Sequence, residues 1–103
     1  MAKHIIKLDK EREIKFTMNA ILALDELFQI NVYSRATYDD FPPAKMMSLI
    51  WAGQMHTKNA LKRSQIPQYV PTAMADYMSV CLVIAEAILD ATKDPTKEAA
   101  DAK

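Results

Sequence analysis

The longest amphipathic pattern in the chain runs from Val70 to Thr92, and it constrains the fold more than any other feature. At about 100° per residue, one broad face of this segment is apolar and the opposite face is polar. The predicted apolar face contains Val70, Met74, Tyr77, Met78, Cys81, Leu82, Ile84, Ala85, Ile88 and Leu89, whereas Val80 and Val83 fall outside it. A helix of this length spans roughly 30 Å, and other elements must cover such a face. We therefore expect a mainly α (α+β) fold with the long C-terminal helix at its centre.

Two short alternations of apolar and polar residues near the N-terminus predict a β-hairpin. They span His4 to Leu8 and Glu13 to Thr17, and the polar run 9–12 between them suits the loop. After Thr17 the apolar period changes from two to 3.6, and the Thr17 hydroxyl is therefore a suitable N-cap for a first helix. This helix is expected to end near Phe28 or Gln29.

The second helix is predicted to begin at Pro42-Pro43. A proline at the first helical position loses nothing, because its missing N–H would be unpaired there anyway, and the residue before a proline is held extended. The helix then runs from Ala44 to about His56, and a continuation to Arg63 stays open. The predicted fold is thus an N-terminal hairpin followed by three helices.

Two groups of apolar residues suit either the core or a partner surface. On the second helix, Met47, Trp51 and Met55 fall about 100–180° away from Met46, so this helix is either sandwiched between two layers or shows one stripe to a partner. In the irregular connection 30–41, Tyr33 and Tyr38 either pin the segment to the core or face a partner. The candidate partner-binding residues are therefore Met47, Trp51, Met55, Tyr33 and Tyr38.

Length and motifs limit what the chain can do. Its 103 residues suit a single domain over 1–92, followed by a charged, alanine-rich tail over 93–103 that we expect to be flexible. We find no glycine-rich phosphate loop, no paired-cysteine metal motif and no nucleophile motif, and we expect no enzyme and no catalytic, cofactor or metal site. The single cysteine, Cys81, lies on the apolar face and is interpreted as a small core residue. No signal peptide or membrane span is predicted, and a reducing cytoplasm is the simplest compartment.

Charge is balanced overall but uneven along the chain. The net charge is zero, which predicts no long-range attraction to nucleic acid or acidic lipid. The stretch from Phe41 to Ala75 nevertheless contains bases and no acid. Lys58, Lys62 and Arg63 within it leave open an alternative function, a small helical nucleic-acid-binding regulator, although nucleic acid is not the expected partner.

The order of these elements and two short motifs resemble the tail assembly chaperones of siphophages and gene transfer agents. In that family a strand pair leads into a helix of the form Thr-x-x-Ala-x-x-x-Leu-Asp/Glu-Glu, matched here by Thr17, Ala20, Leu24, Asp25 and Glu26. The family's second helix ends in a Leu-hydrophobic-Trp/Tyr/His-Ala-Gly run, matched by Leu49 to Gly53. The similarity covers about residues 4–92, and one departure is Ala23, where the family often has a second leucine.

The resemblance implies a protein without enzymatic activity that acts in the host cytoplasm during tail assembly. It would bind the tape measure protein, and also tail tube subunits, and keep them soluble until the tail forms. Such proteins are often made in a longer, frameshifted form as well. Homo-oligomerisation stays open, and another phage structural role, such as a head–tail joining protein, is a further alternative.

Overall fold

A computed structural model describes residues 4–34, 37 and 40–93 as an antiparallel β-hairpin followed by three helices. The strands are β1, His4–Lys7, and β2, Glu11–Ile14. The helices are α1, Met18–Phe28, α2, Pro43–Gly53, and α3, Met74–Thr92, with a 3-10 turn at Ile66–Gln68 before α3. This arrangement confirms the expected mainly helical α+β fold. The tail expected over 93–103 lies outside the described residues, apart from Lys93.

The hairpin pairs His4 with Ile14 and Lys7 with Glu11, which leaves a three-residue loop over 8–10. Its second strand therefore begins two residues earlier than the alternation predicted, and it includes Arg12. Arg12 is buried on the inner face because its guanidinium is paired: Nε and Nη2 donate to the Asp9 carboxylate at 2.9 and 2.7 Å. Its Nη1 donates to the Asn59 carbonyl. The prediction of a polar loop was wrong here because a fully paired arginine can occupy an inward strand position.

Helix α1 begins and ends at residues with specific capping roles. The Thr17 Oγ1 accepts a hydrogen bond from the Ala20 N–H at 3.3 Å, which confirms the predicted N-cap. The helix closes at Gln29, whose backbone is left-handed with a φ of 55°. Ala20, Ile21 and Leu24 are its buried residues.

Helix α2 is the most enclosed of the three helices in the described part of the chain. Pro42 is extended and Pro43 is the first helical residue, as predicted. Seven of its 11 residues are buried: Met46, Met47, Ser48, Leu49, Ile50, Ala52 and Gly53. It packs against α1, α3 and β2, so the same chain covers several of its faces. The centre of the fold is therefore α2, rather than the long C-terminal helix that we expected there.

Helix α3 begins at Met74, four residues later than the start of the amphipathic pattern. Ala73 is extended and is the N-cap, and its carbonyl accepts the Tyr77 N–H at 2.9 Å. The helix packs on β1 and α2 through only four buried residues: Val80, Ile84, Ala87 and Ile88. Among the described residues, none of the helices has the length and apolarity that crossing a membrane requires.

Candidate partner-binding surface

The main exposed apolar surface lies along α3. Met74, Met78, Leu82 and Leu89 have 74%, 60%, 61% and 54% of their surface exposed. At about 100° per residue they fall within roughly 80° of one another, on a single face of the helix. We call this set the outer stripe. Contiguous exposed apolar residues on one helix face are typical of interaction surfaces, whereas single exposed ones are common on any protein.

The outer stripe exists because the apolar arc of α3 is wider than the core that covers it. Part of the predicted apolar face packs inward: of its ten residues, Ile84 and Ile88 are buried. Val80, which the pattern placed outside that face, is also buried. The buried face is thus rotated by roughly 90° from the predicted one, and the outer stripe is left beside it. The prediction that the whole apolar face would be covered was therefore wrong.

Acidic side chains line the strand side of α3, next to the outer stripe. Glu86 and Asp90 are both exposed, and Asp90 lies 3.4 Å from His4 Nε2 and 3.5 Å from Lys93 Nζ. The hydrogen bond with His4, followed by the one with Lys93, holds the pKa of Asp90 below its ordinary value. Asp90 therefore also helps to join α3 to β1, whereas Glu86 forms no such hydrogen bond with another described residue.

The other side of the outer stripe meets the connection that leads into α2. The Tyr77 hydroxyl donates to the Phe41 carbonyl at 2.8 Å, and burial raises the pKa of Tyr77 to about 12. Cys81 is half-buried next to it, and burial likewise raises the pKa of its thiol. The thiol is therefore kept in its neutral form, as the interpretation of Cys81 as a small core residue requires.

The structure encloses much of the stripe predicted on α2. Met47 is only 8% exposed, whereas Trp51 and Met55 are half-buried against the core. The Trp51 ring meets the Phe28 ring of α1 edge to face, with 5.8 Å between ring centroids. Of the two alternatives left open for α2, the structure therefore shows a helix sandwiched between layers. Met47, Trp51 and Met55 consequently offer far less surface to a partner than the outer stripe does.

Of the two tyrosines predicted as contact residues in the connection 30–41, the structure describes one. Tyr33 is 59% exposed, and its backbone N–H donates to the Asn31 side chain at 2.9 Å, which shapes the turn beneath it. It therefore stays a candidate contact residue, separate from the outer stripe. Tyr38 lies outside the described residues.

The bases Lys58, Lys62 and Arg63 do not form a free cationic surface. Arg63 is half-buried on α2, where its Nε donates to Ser48 Oγ and its Nη2 to the Ala44 carbonyl, each at 3.2 Å. Of the three bases, only Lys58 and Lys62 are exposed. These hydrogen bonds hold the segment that follows α2 against that helix. The nucleic-acid alternative therefore loses Arg63, which is the base best suited to bind phosphate.

The described residues offer no candidate metal site. Within 4–34, 37 and 40–93, the histidine, cysteine and acidic side chains form no group of three or more that could hold a metal ion. The chain matches no protein-family model, no curated protein and no solved structure. The outer stripe is therefore the feature on which a functional proposal can be built.

Proposed function

We propose that this protein is a tail assembly chaperone of a phage or prophage, which binds the tape measure and tail tube proteins before the tail forms. The outer stripe carries the proposal, because a chaperone for large apolar clients needs an apolar surface that its own core leaves open. Two of the four residues are methionines, whose unbranched, polarizable side chains adapt to different partner surfaces.

The residues behind the family resemblance have structural roles that are consistent with this proposal. Thr17 caps α1, and Ala20 and Leu24 are buried in the core. Most of the run from Leu49 to Gly53 is buried at the end of α2. In this proposal the motifs therefore build the scaffold, and a different surface, on α3, meets the client.

The proposed mechanism is reversible apolar binding in the host cytoplasm, without catalysis or a cofactor. Full burial of an exposed leucine or methionine contributes about 1.5–3 kcal/mol, and the outer stripe is already partly covered. Four such side chains contribute on the order of 4–8 kcal/mol in total, a range that the cost of association, about 4–15 kcal/mol, largely offsets. The outer stripe alone thus supports a weak complex, which suits a protein that must release its client.

The test is co-expression with the tape measure and tail tube proteins of the same gene cluster, followed by light scattering on the purified mixtures. We expect a soluble complex with one or both proteins. Leu82→Asp combined with Met78→Asp should abolish it, because both side chains lie in the outer stripe. The matched control is Leu22→Asp combined with Met18→Asp, a pair of exposed apolar residues with the same spacing on α1.

Two results would contradict the proposal. One is the lack of a complex with either client over a range of molar ratios. The other is equal loss of binding in both double variants, which would mean that the outer stripe is not the contact surface. Circular dichroism on each variant checks the fold. We expect it to stay intact because all four side chains are exposed.

A further inference from the structure

The hairpin has one edge with no neighbouring strand. Within the described part of the chain, the sheet consists of β1 and β2 alone. The outer side of β2 is engaged, because the Lys15 N–H that follows it donates to the Gly53 carbonyl of α2 at 2.7 Å. The outer side of β1 has no such backbone partner among the described residues. We call it the open edge.

The hydrogen bond at the hairpin loop indicates which residues point their backbone groups toward the open edge. In an antiparallel ladder, alternate residues of a strand direct N–H and C=O to the same side. The Leu8 N–H donates to the Lys10 carbonyl at 2.9 Å, toward β2. Ile6, two residues earlier, therefore also bonds toward β2, and Ile5 and Lys7 point their N–H and C=O groups the other way.

Strand β2 gives the same assignment independently. Lys15 directs its N–H away from β1, so Glu13, two residues earlier, does as well. Glu13 is the ladder partner of Ile5. The two residues of such a pair point their backbone groups apart, and those of Ile5 therefore lie at the open edge.

A groove of about 470 Å³ lies beside the open edge, between β1 and the strand side of α3. Residues 5–8 line one side of it, and Val80 and Val83 are among the α3 residues on the other. Tyr69 and Pro71, from the segment before the helix, also contribute. Most of this lining is apolar, so the unpaired backbone groups lie next to a surface that excludes water.

The charges in the groove balance. Its lining contains one base, Lys7, and one acid, Asp76. A lysine on an edge strand usually discourages pairing with another chain, but here an acid in the same groove offsets its charge. The groove therefore favours neither a basic nor an acidic partner, and recognition rests on the main chain and on apolar contacts.

We propose that the open edge binds an extended segment of a partner protein, which adds to the sheet as a third strand beside β1. Such a segment fits the N–H and C=O groups of Ile5 and Lys7, because its own main chain repeats the matching acceptors and donors at the same spacing. A helix uses its main-chain groups internally and could not pair with them. Alternate apolar side chains of the segment would lie against Val80 and Val83.

A second copy of this chain fits the open edge less well. Antiparallel pairing of two β1 strands would place them about 4.8 Å apart. Each copy also packs its α3 against β1, and a helix with its side chains is about 10–12 Å across. The two helices would therefore compete for the space beside the paired edges, whereas a single extended segment brings no helix with it.

This inference goes beyond the proposed function and does not depend on it. The groove and the outer stripe lie on different sides of α3, since Val83 and Leu82 point about 100° apart. Loss of the tail-protein complex in the outer-stripe variants would leave the open edge unaffected. Failure at the open edge would likewise leave the proposed chaperone role intact.

Amide hydrogen exchange of the full-length protein, followed by nuclear magnetic resonance, tests the assignment of the open edge. We expect the N–H groups of Ile5 and Lys7 to exchange at least about tenfold faster than that of Ile6, which donates to β2. Slow exchange of Ile5 and Lys7 in the protein alone would overturn the proposal, because the edge would then be covered already. Sedimentation shows whether a second copy covers it.

The binding probe is a seven-residue peptide of alternating threonine and valine, acetylated, amidated and labelled with a fluorophore. One form has N-methyl groups on alternate peptide nitrogens, which leaves one hydrogen-bonding edge. The other is methylated on every nitrogen, which blocks both edges. We expect the first to bind at least about fivefold more tightly in fluorescence anisotropy, and to slow exchange of the Ile5 and Lys7 N–H groups. Equal binding of the two forms, or no binding of either, would contradict the proposal.

Two substitutions at Ile5 separate the main chain from the side chain. Ile5→Pro removes an N–H from the open edge and should leave the ladder intact, because proline is tolerated where the N–H faces away from the partner strand. It should weaken binding of the alternately methylated peptide at least about fivefold. Ile5→Thr shortens the apolar side chain but keeps the N–H, and should weaken binding by less than about twofold. The same loss in both variants would refute main-chain pairing.

A third variant blocks the groove from α3. Ser79 is exposed and lines the groove, so Ser79→Trp should fill it and weaken peptide binding at least about fivefold without disturbing the core. Asn19→Trp, at an exposed position of α1, is the matched control and should leave binding unchanged. Undiminished binding to Ser79→Trp, or equal losses in the two variants, would mean that the peptide binds elsewhere.

Discussion

The single glycine of the chain lies in direct contact with Ile14, and there is no room between them for another carbon. A Cβ built on Gly53 would lie 2.6 Å from Ile14 Cγ2 and 3.4 Å from both Ile14 Cδ1 and Phe16 Cζ. The Gly53 carbonyl also accepts the Lys15 N–H at 2.7 Å. The backbone at the end of α2 thus contacts a side chain of β2, and this contact holds the hairpin against the central helix.

Gly53→Ala should lower the free energy of unfolding by about 1–3 kcal/mol, because Ile14 is 1% exposed and cannot rotate its β-branched side chain away. Urea unfolding measures the loss. In an Ile14→Ala background, where the clashing methyl is gone, the same substitution should cost at least about 1 kcal/mol less. Equal costs in the two backgrounds would mean that the contact with Ile14 is not what excludes alanine.

Trp51→Ala should destabilise the fold rather than only weaken partner binding. Loss of a buried tryptophan costs about 3–5 kcal/mol, and Trp51 is half-buried, so we expect about 2–4 kcal/mol. A double-mutant cycle with Phe28→Leu should assign about 0.5–1.5 kcal/mol to the edge-to-face pair. An unchanged unfolding midpoint for Trp51→Ala would mean that Trp51 does not stabilise the core and is again a candidate contact residue for a partner.

The Asp9–Arg12 pair should make stability depend on pH in the acid range. The hydrogen bond with Arg12 lowers the pKa of Asp9 below its ordinary value of 3.8. A lowered pKa in the folded state means that the stabilisation is present above pH 3.8 and is lost as the pH falls through the folded value. Asp9→Asn should therefore be less stable than the wild type at pH 7, and the difference should shrink below about pH 4. Thermal unfolding at several pH values measures it, and a difference independent of pH would contradict the pairing.

Tyr77 should produce the opposite behaviour at alkaline pH. Its pKa is raised from 10.0 to about 12, so the folded state keeps the neutral phenol that the unfolded state begins to lose near pH 10. Its contribution to stability is thus complete below pH 10 and declines as the pH rises through about 12. Tyr77→Phe, which lacks the hydrogen bond to the Phe41 carbonyl, should show a smaller decline over that range. Unfolding curves and the absorbance of tyrosinate are the two measurements, and ionisation of Tyr77 near pH 10 in the folded protein would refute this.

Local signals in the sequence determined the elements of this fold. The change of apolar period at Thr17, the extended Pro42 before Pro43 and the long amphipathic pattern each depend on residues close in sequence, and the structure confirms a hairpin and three helices. Several boundaries differ from the predicted ones by a few residues, and at β2 the reason is a tertiary contact. Arg12 joined the strand because Asp9 and a carbonyl distant in sequence pair its charge.

Which apolar residues stay exposed depends on tertiary packing. A helical wheel shows that the apolar arc of α3 is wide, but it cannot show how much of that arc β1 and α2 will cover. The covered part includes Val80, which the wheel assigned to the other face, and leaves Met78 and Leu82 in solvent. The same reason moved the candidate surface from Met47 on α2 to α3, because burial is a property of the packed neighbours and not of the periodicity of one helix.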